Sequence, residues 1–106
     1  MQVLAIDKVP EGVTKEMLFP HLPSELAATV NLYLQEKIRT FYFRKDRPGV
    51  VFLLETESLN EAKEILGTLP MVKENLLDFD LIPVGPLAPL GMLLQKKEGQ
   101  DLGPNM

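Results

Sequence analysis

The sequence contains no cysteine. Without it the chain can form neither disulfides nor thiolate metal sites, and it has no thiol nucleophile. This composition is typical of a reducing compartment, so we predict a cytoplasmic protein.

The chain also lacks any excess of basic residues. Its 15 acidic and 11 basic side chains give a net charge of −4, whereas nucleic-acid binders usually carry a basic patch. We therefore predict no nucleic-acid partner.

Long apolar runs are missing as well. None approaches the roughly 20 residues of a membrane span, and the opening MQVLAIDKVP has no basic region of the kind that begins a signal peptide. We predict that the protein does not associate with a membrane.

What the sequence does contain is a regular succession of strand and helix patterns. Strands are predicted from β-branched and apolar runs, and helices from apolar residues at helical spacing. The strands are predicted over residues 2–8, 38–45, 50–56 and 76–84, with a short helical turn at 14–19 and helices at 24–38 and 58–70.

The order β-α-β-β-α-β predicts an α+β, ferredoxin-like fold. Two helices would pack on one face of a four-stranded antiparallel sheet. Residues 1–94 are predicted to form a single domain, and residues 95–106, which are mostly polar, a disordered C-terminal tail.

Each predicted helix has a candidate cap and a candidate buried face. Ser24 would cap the first, whose apolar face would contain Leu26, Val30, Tyr33 and Leu34. Ser58 and Glu61 form a capping-box pattern at the start of the second. Its buried face would contain Leu59, Ala62, Ile65, Leu66 and Leu69.

The predicted third strand is apolar on both of its faces, from Val50 to Leu54. Two helices can cover only one face of the sheet, and monomers rarely leave a large apolar patch in water. We therefore expect a homodimer in which two sheets cover each other. The alternative is that the segment PLAPLGMLL, residues 86–94, folds over the open face.

The second half of the chain resembles a known family. The stretch VVFLLETESLNEAKEILGTLPMVKENLLDFDLIPVGPL, residues 50–87, resembles the muconolactone isomerase-like branch of the dimeric α+β barrel superfamily. The shared pattern is a strand, a serine-capped helix that stops at Leu-Pro, and an acidic-apolar last strand that ends near proline. The resemblance implies a dimeric α+β barrel with a small-molecule cleft. The isomerases carry a histidine before the proline of the last strand, and Ile82 stands there in this chain.

The predicted second strand offers side chains for a binding pocket. Strand alternation places Thr40, Tyr42 and Arg44 on one face, opposite to Phe41 and Phe43, which suit packing against helices. The first three would point into the barrel, where a tyrosine hydroxyl and an arginine fork could bind a substrate. Alternatively, Arg44 pairs with Asp46, or with acidic residues of the other subunit of a dimer, at the rim of the sheet.

Two further residues are candidates for chemistry. His21, the only histidine, lies four residues before Glu25 and is the predicted general base, unless it is simply a surface histidine beside a helix start. Asp78 shares a strand face with Asp80 and is a candidate substrate-binding acid, although such acids more often pair with basic side chains or keep a sheet edge charged. Nothing has metal-ligand spacing, and there is no glycine-rich phosphate loop, so no metal and no cofactor are predicted.

These features lead to two hypotheses about function. The first is a cofactor-free isomerase or related catalyst that acts on a small apolar acid or lactone. The alternative is a dimer that binds a small molecule or a protein without catalysis.

Overall fold

The computed structural model describes residues 1–86. The strands are β1 (Gln2–Lys8), β2 (Ile38–Phe43), β3 (Val50–Glu55) and β4 (Asp78–Val84), and the helices are α1 (Lys15–Leu18), α2 (Leu22–Leu34), α3 (Leu59–Leu66) and α4 (Pro70–Lys73). A 3-10 turn, Phe19–His21, joins α1 to α2. The segment from residue 87 onward, including the predicted tail at 95–106, lies outside the described residues.

The four strands form one antiparallel sheet in the order β2-β3-β1-β4. Ala5 of the central strand β1 lies opposite Phe52 of β3 on one side and Leu81 of β4 on the other. This topology, with the helices on one face, is the ferredoxin-like α+β fold, which confirms the predicted fold class.

Alternation along the strands gives the sheet two different sides. The side that packs against the helices, here the helix side, carries buried residues such as Val3, Phe52 and Leu54. The opposite side, here the open side, carries Leu4, Ile6, Val51 and Leu53, which keep part of their surface accessible. The core therefore lies entirely between the sheet and the helices.

Helix α3 follows its sequence pattern closely. The Ser58 hydroxyl accepts a 3.1 Å hydrogen bond from the Glu61 N–H, which confirms the predicted cap. The Glu61 carboxylate accepts from the Glu57 N–H rather than from Ser58. The buried residues of α3 are Ala62, Ile65 and Leu66, and Leu69 is buried just beyond the helix.

Helix α2 differs from its prediction in two respects. It begins at Leu22, so Ser24 lies inside its first turn, where its hydroxyl donates to the His21 carbonyl at 3.0 Å. Pro23 is compatible with this earlier start because a first-turn proline has no helical hydrogen bond to lose. The buried residues are Glu25, Thr29 and Leu32. The predicted apolar face, Leu26, Val30, Tyr33 and Leu34, is instead exposed.

Strand β2 also corrects one prediction. Thr40 and Tyr42 lie on the open side, opposite Leu53 and Val51. Arg44 does not share their face, because the strand ends at Phe43 and alternation does not extend beyond it. The Arg44 side chain reaches Asp7 on the helix side instead.

In the described part of the chain, no helix is both long enough and apolar enough to cross a membrane.

Candidate functional site

A cavity of about 440 Å³ lies between the helix side of the sheet and the segment from α1 to α2. Its walls are mainly apolar, with contributions from β2, β3, α1 and α2, and include Leu18, Phe19, Leu22, Leu26, Val30, Phe41, Phe43 and Phe52. The rings of Tyr33 and Phe41 meet edge to face, 5.2 Å apart, and link α2 to the edge strand β2. A volume of this size suits a small organic molecule.

Asp7 and two arginines form a charged cluster at this cavity. Asp7 is the last of the β1 residues that face the helices. It is only 3% exposed and lines the cavity together with Arg44. Asp7 Oδ1 lies 3.1 Å from Arg47 Nη2 and 3.6 Å from Arg44 Nη1, although neither contact has hydrogen-bond geometry. Asp7 Oδ2 accepts a 3.0 Å hydrogen bond from the Val50 N–H. Asp7 thus joins β1 to the β2–β3 turn.

The turn itself depends on a glycine. Gly49 has a φ of +156°, and a Cβ at this position would collide with the Asp7 carboxylate and the Arg47 guanidinium. Only glycine lets the backbone approach Asp7 this closely.

Arg44 holds a second carboxylate with two hydrogen bonds. Its Nε donates to Asp46 Oδ1 at 2.9 Å and its Nη2 donates to Asp46 Oδ2 at 2.6 Å. These bonds lower the pKa of Asp46 from 3.8 to about 2 and raise that of Arg44. The pairing of Arg44 with Asp46, the alternative drawn from the sequence, is therefore present.

Glu25 supplies a carboxyl group from the helical wall of the cavity. It is 8% exposed, and its Oε1 accepts a 2.8 Å hydrogen bond from the Met71 N–H at the start of α4. Burial raises the pKa of Glu25, although the Met71 N–H and the charge of His21 partly oppose this shift. Glu25 lines the cavity, and no hydrogen bond to its Oε2 is found in residues 1–86.

The other residues predicted for the site lie elsewhere. His21 ends the 3-10 turn and is not among the residues that line the cavity, although it lies near enough to influence Glu25. Thr40 and Tyr42 lie on the open side of the sheet. Asp78 is also there, exposed and 4.0 Å from Lys8 Nζ. The predicted roles of these four residues stay predictions.

The sequence did not single out Asp7, and it offered Glu25 only as a partner for His21. Asp7 precedes a Lys-Val-Pro-Glu-Gly turn and resembles an ordinary polar strand end. One signal was present: its alternation with Val3 and Ala5 places it on the buried row. Glu25 occurs in the first turn of α2, where acids are common for electrostatic reasons.

The other surface depression has no comparable set of polar groups. This shallow, open depression of about 680 Å³ follows the outer face of α2, and no charged side chain lines it. Among residues 1–86, no group of three histidine, aspartate or glutamate side chains is arranged to hold a metal ion.

No protein-family model matches this chain, and no curated protein matches its sequence. Among solved structures, it is similar to the 5-chloro-2-hydroxyhydroquinone dehydrochlorinase TftG from Burkholderia phenoliruptrix AC1100, in complex with 2,5-dihydroxybenzoquinone. The TM-score is 0.65 at 20% sequence identity, over 80% of this chain and 94% of that enzyme.

A second similar structure is the protein At3g17210 from Arabidopsis thaliana. Its TM-score is 0.40 at 19% identity, over 80% of this chain and 93% of that one. The likeness to the dehydrochlorinase shows a shared fold.

Proposed function

We propose that the cavity binds a small, mostly apolar cyclic molecule and that the protein catalyses a reaction on it. The observation that carries this proposal is the pairing of a mainly apolar cavity of about 440 Å³ with a few polar groups in its walls, among them Glu25 and Arg44. The similar dehydrochlorinase, solved with a dihydroxybenzoquinone, supports a ring-shaped ligand of this size.

Glu25 is the residue best placed for acid–base chemistry. Its raised pKa brings proton uptake and release nearer to neutral pH, which is what a general acid or base requires. The Met71 N–H fixes one oxygen, so the other has a defined direction. An isomerisation needs only a proton moved between two atoms of the substrate, and a single carboxyl group can do this without a cofactor.

The reaction type is part of the proposal. The resemblance of residues 50–87 to the muconolactone isomerase-like branch favours an isomerisation of an unsaturated acid or lactone. His21 stays a candidate base beside Glu25. Thr40, Tyr42 and Asp78 would contribute only if a second sheet enclosed the open side in a homodimer.

Binding without catalysis is the second candidate. It is favoured by the pairing of Arg44 with Asp46. The Arg44 guanidinium already donates two hydrogen bonds to the Asp46 carboxylate and needs no ligand to complete them. Under this alternative, ligands stabilise the protein and no product forms.

The test combines ligand binding with product detection. Hydroxylated quinones and hydroquinones, unsaturated lactones and small aromatic acids are screened by thermal shift, and each hit is incubated with the protein and analysed by chromatography. A ligand at 100 times its Kd should stabilise the folded state by about 2.7 kcal/mol. We expect Glu25→Gln to bind the ligand and to lower turnover by about a hundredfold or more.

Two variants serve as comparisons. Glu64→Gln removes the same charge from the exposed face of α3 and should leave turnover unchanged. His21→Ala tests the alternative base. Stabilisation by a ligand without any product would favour the binding function, and the absence of any ligand across the panel would overturn both candidates.

A further inference from the structure

Arg44 and Asp46 form the arrangement by which proteins recognise a free carboxylate. Two nitrogens of the planar guanidinium meet two oxygens of one carboxyl group, at 2.9 and 2.6 Å. This two-bond geometry is stronger and more directional than a single contact. The chain thus supplies its own carboxylate to a fork that lies in the cavity wall.

The two partners differ in how they are held. The Arg44 side chain is 20% exposed and lines the cavity, whereas the Asp46 side chain is 63% exposed and is not among the lining residues. The Asp46 carboxylate also accepts a 3.0 Å hydrogen bond from the N–H of its neighbour Arg47. Because the Asp46 side chain is 63% exposed, water hydrates it when it leaves Arg44, and a ligand carboxylate can form the same two hydrogen bonds with Arg44 in its place.

The charges of the cluster favour such an exchange. The charged cluster of Asp7, Arg44 and Arg47 has one negative and two positive charges, and Asp46 adds the second negative charge, so the four groups together are neutral. When Asp46 turns out to water, the other three groups have a net charge of +1. One carboxylate from a ligand restores neutrality in a partly buried place, where unbalanced charge is costly.

We propose that Asp46 occupies the position of a ligand carboxylate, and that the cavity binds small apolar carboxylic acids whose carboxylate displaces Asp46 from Arg44. This inference rests on the proposed function, because it names the chemical class of the ligand that the same cavity takes. The apolar part of the acid lies among the phenylalanines and leucines of the walls. Asp46 then limits affinity by competing for Arg44.

The backbone allows this exchange without unfolding the turn. The Arg44 N–H donates to the Gly49 carbonyl at 2.9 Å, and Arg47 and Val50 bind Asp7 independently of Asp46. Only the Asp46 side chain has to move.

The experiment uses a matched pair of ligands, 4-chlorobenzoate and 4-chlorobenzamide, which share a ring and differ in charge. Their Kd values are measured by NMR titration with the wild type and with Asp46→Asn, which keeps an oxygen for the Arg47 N–H. We expect Asp46→Asn to bind the benzoate about fivefold more tightly, since the competing charge is gone, and to bind the benzamide as the wild type does. Arg44→Lys should lose the preference for the benzoate.

Glu64→Gln removes one negative charge far from the cluster and controls for the change in net charge. If it tightens benzoate binding as much as Asp46→Asn does, the effect is a general one and the inference is wrong. If both ligands bind the cavity and Asp46→Asn changes neither Kd, the inference fails while the proposed binding function stands. If neither ligand binds any variant, the inference fails, and the wider panel of quinones, lactones and aromatic acids decides the proposed function separately.

Discussion

At the scale of single residues, Glu25 shows how the fold changes the chemistry of a side chain. A glutamate in the first turn of a helix ordinarily faces water, but here it lies under α4 and meets the Met71 N–H. Burial disfavours its charged form and raises its pKa above the ordinary value of 4.5. The protein therefore keeps a carboxyl group that holds its proton longer in the folded than in the unfolded chain.

This difference predicts a pH-dependent effect of Glu25→Gln on stability. Because the folded chain binds the proton more tightly, wild-type stability falls as the pH rises from about 4.5 through the higher folded pKa. Glutamine keeps the acceptor for the Met71 N–H and has no charge. The variant should gain stability over the wild type between pH 4 and pH 7, as measured by urea unfolding at both values. If Glu25→Gln instead has a lower free energy of unfolding at pH 7 than the exposed control Glu64→Gln, the charged form of Glu25 stabilises the fold and the prediction is wrong.

The site was predictable from the sequence only in part, for reasons visible at single residues. Arg44 was selected by extending strand alternation past Phe43, where the strand has ended, so the predicted side of the sheet was wrong. Its role in binding a substrate stays a prediction. The contacts of Asp7 join residues 43 positions apart in the chain, and no local pattern reports them. Long-range contacts of this kind place the site on the helix side of the sheet, whereas Thr40 and Tyr42 lie on the other.

At the scale of elements, the sequence predicts boundaries better than orientations. Strand β1 has the bounds that its apolar run predicts, and Ser58 caps α3 as expected. The orientation of helix α2 was predicted wrongly, because this helix carries apolar residues on its outer side as well as on its inner side. Hydrophobicity alone selects Leu26 and Val30, while the fold buries a stripe that includes the polar Glu25 and Thr29. Thr29 is accommodated there because its hydroxyl donates to the Glu25 carbonyl at 2.9 Å.

The orientation of α2 predicts a contrast between two leucines. Leu32 is 7% exposed and belongs to the core, whereas Leu34, two residues later, is 70% exposed. Leu32→Ala should lower the free energy of unfolding by about 2–5 kcal/mol, because it removes buried methyl groups and leaves a cavity. Leu34→Ala should change it by less than about 0.5 kcal/mol. Chemical unfolding of both variants measures the difference, and equal effects would mean that α2 presents its other side to the core.

At the scale of the whole molecule, a single chain leaves two apolar surfaces accessible. One is the open side of the sheet, where Ile6, Val51 and Leu53 lie side by side on adjacent strands. The other is the outer face of α2, where Leu34 is exposed together with Leu26 and Val30, which also border the cavity. Water contact with both would be unfavourable, and the sheet, being continuous over four strands, is the better match for a second copy of itself.

We therefore expect a homodimer that forms through the open side, and two matched substitutions test it. Val51 lies opposite Ile6 on one neighbouring strand and Tyr42 on the other, so Val51→Lys places a charge in the middle of that surface. Leu34→Lys places the same charge on the outer face of α2. In sedimentation equilibrium the wild type and Leu34→Lys should be dimers and Val51→Lys a monomer, because an unpaired charge buried between two sheets costs more than the contact gains. If only Leu34→Lys dissociates the dimer, the interface lies on α2 and not on the open side. If the wild type is a monomer, Thr40 and Tyr42 face water and belong to no enclosed site.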